Sequence, residues 1–284
     1  MQKQKMKVGH ISGNTSSLIF DIVNTILLLM VCVITLYPFL NTVAISFNDS
    51  TDAVYGGIYL WPRVFSLRSY ETILLQSSTI PHSALISALR AVIGTALSIP
   101  LSMMLAYVMS RRDFVLRSAV TKLVLFTMYV SGGLIPTFLT YRAYGLMNNF
   151  LVYILPGCIS AFNVLVMRSF IQGLPYELIE SAKIDGANEW HIFWNICLPQ
   201  CRSALYSIAI LVFIDNWNMV EQPLILLNDV EKQPLSMFLS SINAGEIGIA
   251  FAAAVIYMIP GLLLFLHGEA YLVEGIAHSG SVKG

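Results

Sequence analysis

The sequence predicts an all-α polytopic membrane protein with six transmembrane helices, and three observations predict it. Of the 284 residues, 56% are hydrophobic and 11% are charged, where a soluble domain carries about 25% charged residues. The apolar residues gather into six long runs, and short polar stretches separate them. Each run has roughly the 20 residues that a helix needs to cross a bilayer. The runs lie near 18–43, 83–109, 119–141, 150–171, 203–226 and 248–272. No linker or low-complexity stretch marks a second domain, so 1–284 reads as a single transmembrane domain in contact with membrane lipid.

The same composition excludes other classes. The formal net charge is zero and no Lys/Arg block stands apart, so the basic footprint that nucleic-acid binding needs is missing. Cys32, Cys158, Cys197 and Cys201 fall in apolar runs or beside the charged stretch between runs four and five, which does not make a disulfide framework. Cys197 and Cys201 lack the His/Cys companions of a zinc site and read as ordinary thiols. Lys3, Lys5 and Lys7 precede the first run as in a signal peptide, but the run is too long and has no small-residue cleavage site. It is expected to be the first span.

Orientation follows from where Lys and Arg fall, because positive loops stay in the cytoplasm. One set of loops holds Lys3, Lys5, Lys7, Arg111, Arg112, Arg117, Lys122, Arg168, Lys183, Arg202 and Lys283, and the other only Arg63, Arg68, Arg142 and Lys232. Both termini are therefore expected in the cytoplasm, and the 46–82 segment outside. Pro38, Pro100, Pro136, Pro156 and Pro260 sit within the runs, where membrane helices tolerate proline as a kink. Gly132 and Gly133 permit close helix approach or a local break, and close approach is the expectation. Arg90 and Glu269 lie near the ends of their runs, as does Asp21; snorkelling to the interface is the expectation for the first two.

The segment 173–199, GLPYELIESAKIDGANEWHIFWNICLP, is too charged to span and too patterned for a structureless loop. Pro175 suits a helix start, Glu177 and Glu180 suit the positive end of a helix dipole, and Gly186 after Asp185 suits a stop. A second short helix fits Asn188 to Cys197, with Trp190, Phe193, Trp194 and Cys197 at i, i+3, i+4 and i+7. This apolar stripe fits the groove of another protein, with Glu180 and Asp185 available to basic groups there. It equally fits the ends of the chain's own helices or the lipid interface.

Glu180-Ser181-Ala182, then Gly186, then Ile196, Leu198 and Pro199 resemble the EAA motif of ABC-importer permeases, whose usual form is Glu-Ala-Ala, three residues, Gly, nine residues, Ile-x-Leu-Pro. The spacing matches throughout, with Ser181 where alanine is usual. Ile184-Asp185-Gly186-Ala187 is similar to the carbohydrate importers. SGGLIPTFL at Ser131 to Leu139 and Leu155-Pro156-Gly157 resemble the LplC/YtcP branch of carbohydrate permeases, and the ending HSGSVKG is similar to the tail of MalG-type subunits.

The resemblance implies a MetI/MalG-like fold in a bacterial cytoplasmic membrane and a coupling helix docked in a cleft of an ATPase subunit. The coupling residues would be Glu180, Ala182, Asp185, Gly186, Trp190, Phe193, Leu198 and Pro199. A second ATPase contact would come from Gly280 to Gly284, in the tail 276–284. The implied partners are a second, MalF-like permease, an ABC ATPase dimer that holds ATP and Mg, and an extracytoplasmic solute-binding protein.

The chain itself has no G-x-x-x-x-G-K-[ST] phosphate loop, no H-E-x-x-H and no G-x-S-x-G. It reads as a non-enzyme with no cofactor, metal or catalytic residue of its own. In the fifth run, Asp215, Asn216, Trp217, Asn218, Glu221 and Gln222 interrupt the apolar pattern where lipid exposure would be costly. Asp215, Asn218 and Gln222 fall at i, i+3 and i+7, a continuous polar strip suited to hydroxyl-rich ligands, and Trp217 is placed to stack on a sugar ring. The same residues also suit contacts that glue helices together. The expected function is the transmembrane subunit of an ATP-driven sugar or oligosaccharide importer working by alternating access. The alternative is a stand-alone ion-coupled transporter in which the fifth-run acids bind ions or protons.

Overall fold

The computed structural model describes residues 15–77, 79–241 and 247–281. Among the described residues, four stretches are long and apolar enough to cross a membrane: α1 (Thr15–Ser46), α2 (Thr79–Ser110), a later helix pair, and the last helix. The third run forms two helices, α3 (Arg117–Tyr129) and α4 (Leu134–Ala143), bent by 114°. The fourth is a pair of 3₁₀ turns, Phe150–Tyr153 and Leu155–Gly157, followed after a 41° bend by α5 (Ala161–Gln172). The segment between runs four and five supplies α6 (Tyr176–Ile184) and α7 (Glu189–Ile192). The fifth run is α8 (Arg202–Asn218) and α9 (Glu221–Leu226), then come the short α10 (Leu235–Ser241) and the long α11 (Ile247–Ser281). The structure thus has six spans if each bent pair is one span.

The third run is a correction. A span with no more than a kink at Pro136 was expected, and the chain breaks at 130–133 instead. Val130 is extended and Gly133 takes φ +80°, a conformation that an L side chain resists and glycine adopts freely. Pro136 then falls in the first turn of α4, where its missing N–H is no loss. Close packing was the expectation for Gly132 and Gly133. A Cβ at Gly133 would meet nothing within 4 Å, and one at Gly132 would meet only Pro136 at 3.7 Å, so the pair serves the break. Pro38, Pro100 and Pro260 lie inside continuous helices.

The middle of the bundle is α2, packed between α5 and α8; α11 packs on α8 and α1. Small residues allow this. Ser83, Ser87, Ala91, Gly94, Ser98, Ser102 and Ala106 of α2 are all buried, and small side chains let membrane helices approach closely. At Gly94 the approach is so close that a Cβ would stand 3.0 Å from Asn216 Oδ1. One apolar cluster, built from Met103, Met167, Ile192, Phe193 and Ile208, joins the α6–α7 end of the bundle. A second, around Ile86, Val152, Tyr153 and Leu226, fills the other end. α1 stands at the edge, and its most apolar window is unburied by the rest of the chain.

The 46–77 part of the segment expected outside is ordered by side-chain bonds to the backbone. Asn48 Oδ1 accepts from the amides of Arg63 and Val64, both at 2.8 Å, and Arg63 pairs with Asp52 at 2.9 Å. Lys3, Lys5, Lys7 and residues 282–284 of the tail lie outside the described residues, and α11 runs helical to Ser281.

Replacing Gly94 with valine should drive α2 and α8 apart at a cost of about 1–3 kcal/mol. The check is the unfolding temperature of the purified protein in detergent, which should fall for Gly94→Val and should not fall for Gly261→Ala, since a Cβ at Gly261 meets nothing within 4 Å and alanine suits a helix interior.

Candidate functional site

Two places combine polar groups with a shaped surface. The first is the α6–α7 unit. Pro175 is extended and stands at the head of α6, Glu177 is in its first turn and Lys183 in its last. Gly186 at φ +82° ends the helix: its amide donates to Lys183 O at 3.1 Å and the Ala187 amide to Ala182 O at 2.9 Å. This paired bonding is the glycine stop of a Schellman motif. Asn188 then caps α7, its Oδ1 accepting from the His191 amide at 2.7 Å, and Phe193–Cys197 continue as a π-type turn. The start at Pro175, the stop at Gly186 and the second helix from Asn188 lie where the sequence places them.

The aromatic stripe splits in two. Phe193 and Cys197 are buried in the main core, with Phe193 edge-on to Tyr107 at 5.2 Å. Trp190 is 61% exposed, and Trp194, at 5.8 Å from it, is exposed too. Of the two readings of the stripe, Phe193 takes the one that packs on the chain's own helices, so its place among the partner-facing coupling residues, which the resemblance implied, is corrected: it anchors the unit to its own chain. Ala182 is also buried, Leu198 and Pro199 are half-buried, and Glu180, Asp185 and Gly186 are exposed. Around the glycine stop lies an open depression of about 440 Å³ lined by Ala182, Asp185, Gly186, Asn188, His191 and Ile196 among others.

Sequence reasoning missed the charges that hold this unit. Glu189 accepts from the Tyr107 hydroxyl and from Arg111 at 3.0 Å, and it pairs with Lys183 at 3.2 Å. Lys183 also pairs with Asp113 at 3.0 Å. Tyr107 belongs to α2, and Arg111 and Asp113 follow its end, so the unit is tied to the central helix. Burial pulls the Glu189 carboxyl upward, but hydrogen bonds from Tyr107 and Lys183 and the charge of Arg111 outweigh it and hold the pKa below the usual 4.5. The Lys183 hydrogen bond lowers Asp113, and the Asp113 and Glu189 bonds raise Lys183. The available signal was the four-residue run from Ser110 to Asp113, which was read only for its positive charge.

The second place is the break in the fifth run. Met219 is extended, Val220 is outside helix geometry, and α9 restarts at Glu221. Pro223 is the cause, because its ring opposes a helical carbonyl at position 219 and it has no N–H for that oxygen. Arg90 of α2 supplies donors in its place. It is fully buried, at 0% exposure, and its guanidinium donates to Trp217 O at 2.8 Å and Met219 O at 3.1 Å. It lies over the Tyr153 ring at 5.1 Å. Snorkelling was expected for Arg90 and is overturned, since no part of the residue reaches an interface. Ser236 Oγ also donates to Met219 O, at 2.8 Å, and the Tyr257 hydroxyl lies 2.7 Å from Asn218 Oδ1.

The break scatters the six polar candidates. Glu221 and Gln222 line a cavity of about 330 Å³ together with Ser131, Gly133, Thr137 and Phe138, so the break in the fifth run faces the break in the third. Gln222 Oε1 is buried without a hydrogen-bond partner. Asn216 is buried against Gly94 and donates to Val212 O at 2.9 Å. Trp217 is 6% exposed and stacked between Phe213 and Tyr257, with Nε1 donating to Tyr257 O at 3.1 Å. Both expectations built on a straight helix are corrected: Trp217 has no face to offer a ring, and no continuous strip joins Asp215 and Asn218 to Gln222. Asp215 and Asn218 are exposed, and neither lines the cavity.

Continuous and broken membrane helices, an open cavity between two breaks that Glu221 and Gln222 line, and a two-helix unit beyond them suit a membrane transport component. Residues 98–274 match the family described as binding-protein-dependent transport system inner membrane component, and the chain belongs to that family. It is 37% identical to the polygalacturonan/rhamnogalacturonan transport system permease protein YtcP of Bacillus subtilis (strain 168), over 94% of this chain and 99% of that one. It is 33% identical to Protein LplC of the same organism, over 97% and 99%. The crystal structure of a bacterial ABC transporter involved in the import of the acidic polysaccharide alginate superposes with a TM-score of 0.85 at 27% identity, covering 91% of this chain and 98% of that chain. The resemblance read from the EAA-like motif and the SGGLIPTFL segment is borne out. The ion-coupled alternative finds no support among these relatives.

Acidification should loosen the α6–α7 unit. The depressed carboxyls of Glu189 and Asp113 stabilise its docking fully above about pH 4.5, the ordinary carboxylate value, and that contribution is lost as pH falls through their lower folded-state values. Raised Lys183 acts at the other end: its contribution is full below about pH 10.5 and is lost as pH rises further. Amide hydrogen exchange across 176–197, corrected for intrinsic rates, should therefore be flat between these limits and quicken beyond both. Glu189→Gln should remove most of the acid response.

Proposed function

We propose that this chain is one transmembrane permease subunit of an ABC importer for an oligosaccharide or glycan fragment. The observation that carries the proposal is end-to-end similarity to a permease whose name gives polygalacturonan and rhamnogalacturonan as its cargo. Arabinooligosaccharides are the named cargo of a further relative at 28% identity over 94% of this chain. The chain would act in a bacterial cytoplasmic membrane with both termini inside, beside a second, MalF-like permease and above two ATPase subunits that hold ATP and Mg. An extracytoplasmic binding protein would deliver the cargo.

The α6–α7 unit supports the proposed link to an ATPase. The α6 stop at Gly186 and the α7 start at Asn188 are capped, its buried side chains and ion pairs bind it to α2, and Glu180, Asp185, Gly186, Trp190 and Trp194 remain exposed for a partner. A rigid unit of this kind passes on a push from below as a displacement of α2. Glu221 and Gln222 support a substrate path in the cavity between the two broken runs. A carboxylate and an amide accept and donate hydrogen bonds to sugar hydroxyls, and water-filled polar cavities are where membrane proteins place such groups.

Two substitutions test the docking role. Glu180→Lys reverses an exposed charge, and Gly186→Trp adds bulk at the depression together with about 1–2 kcal/mol of backbone strain. Both should insert normally in the membrane and lose uptake of labelled oligosaccharide by reconstituted importer; normal uptake by both would sink the role. For the path, Glu221→Gln and Gln222→Ala should each lower uptake about 5- to 100-fold, the effect of losing a hydrogen bond worth roughly 1–3 kcal/mol. Uptake unchanged in both variants would remove the cavity from the route.

A further inference from the structure

The central helix α2 touches both places described above. Near one end, Tyr107 and Arg111 hold Glu189 of the α6–α7 unit. About 25 Å away along the same helix, at ~1.5 Å of rise per residue, Arg90 holds the carbonyls of Trp217 and Met219 at the break before α9. We infer that Arg90 is a positioning residue for transport: it fixes the break between α8 and α9, so that Glu221 and Gln222 line the cavity and move with α2. The inference rests on the reading of that cavity as the substrate path.

The geometry favours positioning over a packing role. A buried guanidinium is costly unless it is fully engaged, and an apolar side chain would fill the same space without that cost. What an apolar side chain could not do is donate to two carbonyls at once, which the planar fork of arginine does. Both carbonyls sit where the helix has failed: Pro223 cannot serve Met219 O, and the restart at Glu221 removes the usual donor to Trp217 O. Glu221 and Gln222 open the helix that begins two residues after the clamped carbonyl of Met219, so the direction of that peptide sets the direction of α9. Ser236 and Tyr257 strengthen the same point from α10 and α11. The Arg90 Nε atom is buried without a hydrogen-bond partner, so the side chain is held by the carbonyl contacts and the Tyr153 ring.

The test uses the whole reconstituted importer with Gln222→Cys introduced after Cys32, Cys158, Cys197 and Cys201 are replaced. The rate of labelling by a small hydrophilic maleimide in that background reports the setting of α9, and uptake per ATP hydrolysed, measured separately with Gln222 in place, reports coupling. Arg90→Met should change the labelling rate at least about threefold and lower uptake per ATP about tenfold, as the loss of two charge-assisted hydrogen bonds implies. Arg90→Lys, which keeps the charge and loses the fork, should change both measures in the same direction. Ser236→Ala and Tyr257→Phe are mild enough to fold and should shift labelling the same way by a smaller factor. Wild-type labelling in Arg90→Met overturns the inference. So does failure of the Arg90 variants to assemble while Ser236→Ala and Tyr257→Phe label as wild type. If labelling shifts as expected while Glu221→Gln and Gln222→Ala transport normally, the clamp stands and the reading of the cavity is what fails.

Discussion

A proline in the fifth run sets the constraint that shapes the rest of this bundle. Pro223 leaves Met219 O without its helical donor in a segment that lipid cannot hydrate, and an unmet carbonyl there costs several kcal/mol. The chain meets the need with Arg90, which must then be buried whole. A buried arginine in turn fixes its surroundings. The helix that bears it must lie against α8, and Gly94 lets it do so by leaving room for Asn216. The ring of Tyr153 must cover the guanidinium, which places the 3₁₀ turns of the fourth run, and the Tyr153 hydroxyl donates onward to Lys232 O at 2.8 Å. Ser236 and Tyr257 bring α10 and α11 to the same spot. Five segments far apart in sequence are thus located by one missing N–H.

At the other end of α2 the device is electrostatic. Glu189, Lys183, Arg111 and Asp113 form a chain of ion pairs, and most of its members are partly exposed. Exposed pairs contribute little to stability singly. Their value here is directional, because they join two helices of the α6–α7 unit to one helix of the bundle. The apolar contact of Phe193 with Tyr107 supplies the adhesion, and the charges supply the register.

Much of this was legible in the sequence, and the failures share one cause. The six runs, the start at Pro175, the stop at Gly186 and the cap at Asn188 are local features, fixed by hydropathy, proline, glycine and side-chain capping within a few residues. The motif in 180–199 was legible because its spacing is local too. Arg90 was read as a snorkelling residue because only its distance from the run's end was visible, and its partners lie 127 and 129 positions away. Periodicity correctly gave Trp190, Phe193, Trp194 and Cys197 a common face but could not divide that face between the chain's own core and the outside. The polar strip of the fifth run failed because i+7 arithmetic assumes an unbroken helix, and Pro223, which was in plain view, breaks it. Gly132 and Gly133 were ambiguous for a similar reason: glycine permits both a break and a close contact, and only the extended Val130, the positive φ of Gly133 and the lack of any other segment within 4 Å of either glycine's Cβ position decide between them.

The surfaces left bare by the chain bear on how the proposed importer would be completed. α1 is apolar along its length and unburied in its most apolar window, and Leu134, Ile135 and Leu139 of α4 are exposed beside the cavity. An α4 turned through 114° cannot itself close the cavity as a straight span would. On the proposed reading, a second permease covers this side, and the cavity at the two breaks is half of a path whose other wall belongs to that subunit. The half contributed here would bear one carboxylate, one amide and two hydroxyls from Glu221, Gln222, Ser131 and Thr137, with no cation among its lining residues. Because Arg90 is committed to backbone carbonyls, it cannot serve as a counter-ion to an acidic sugar. Any positive charge needed to pass a uronate would then have to come from the opposite wall, so selection between acidic and neutral glycans would lie with the partner subunits.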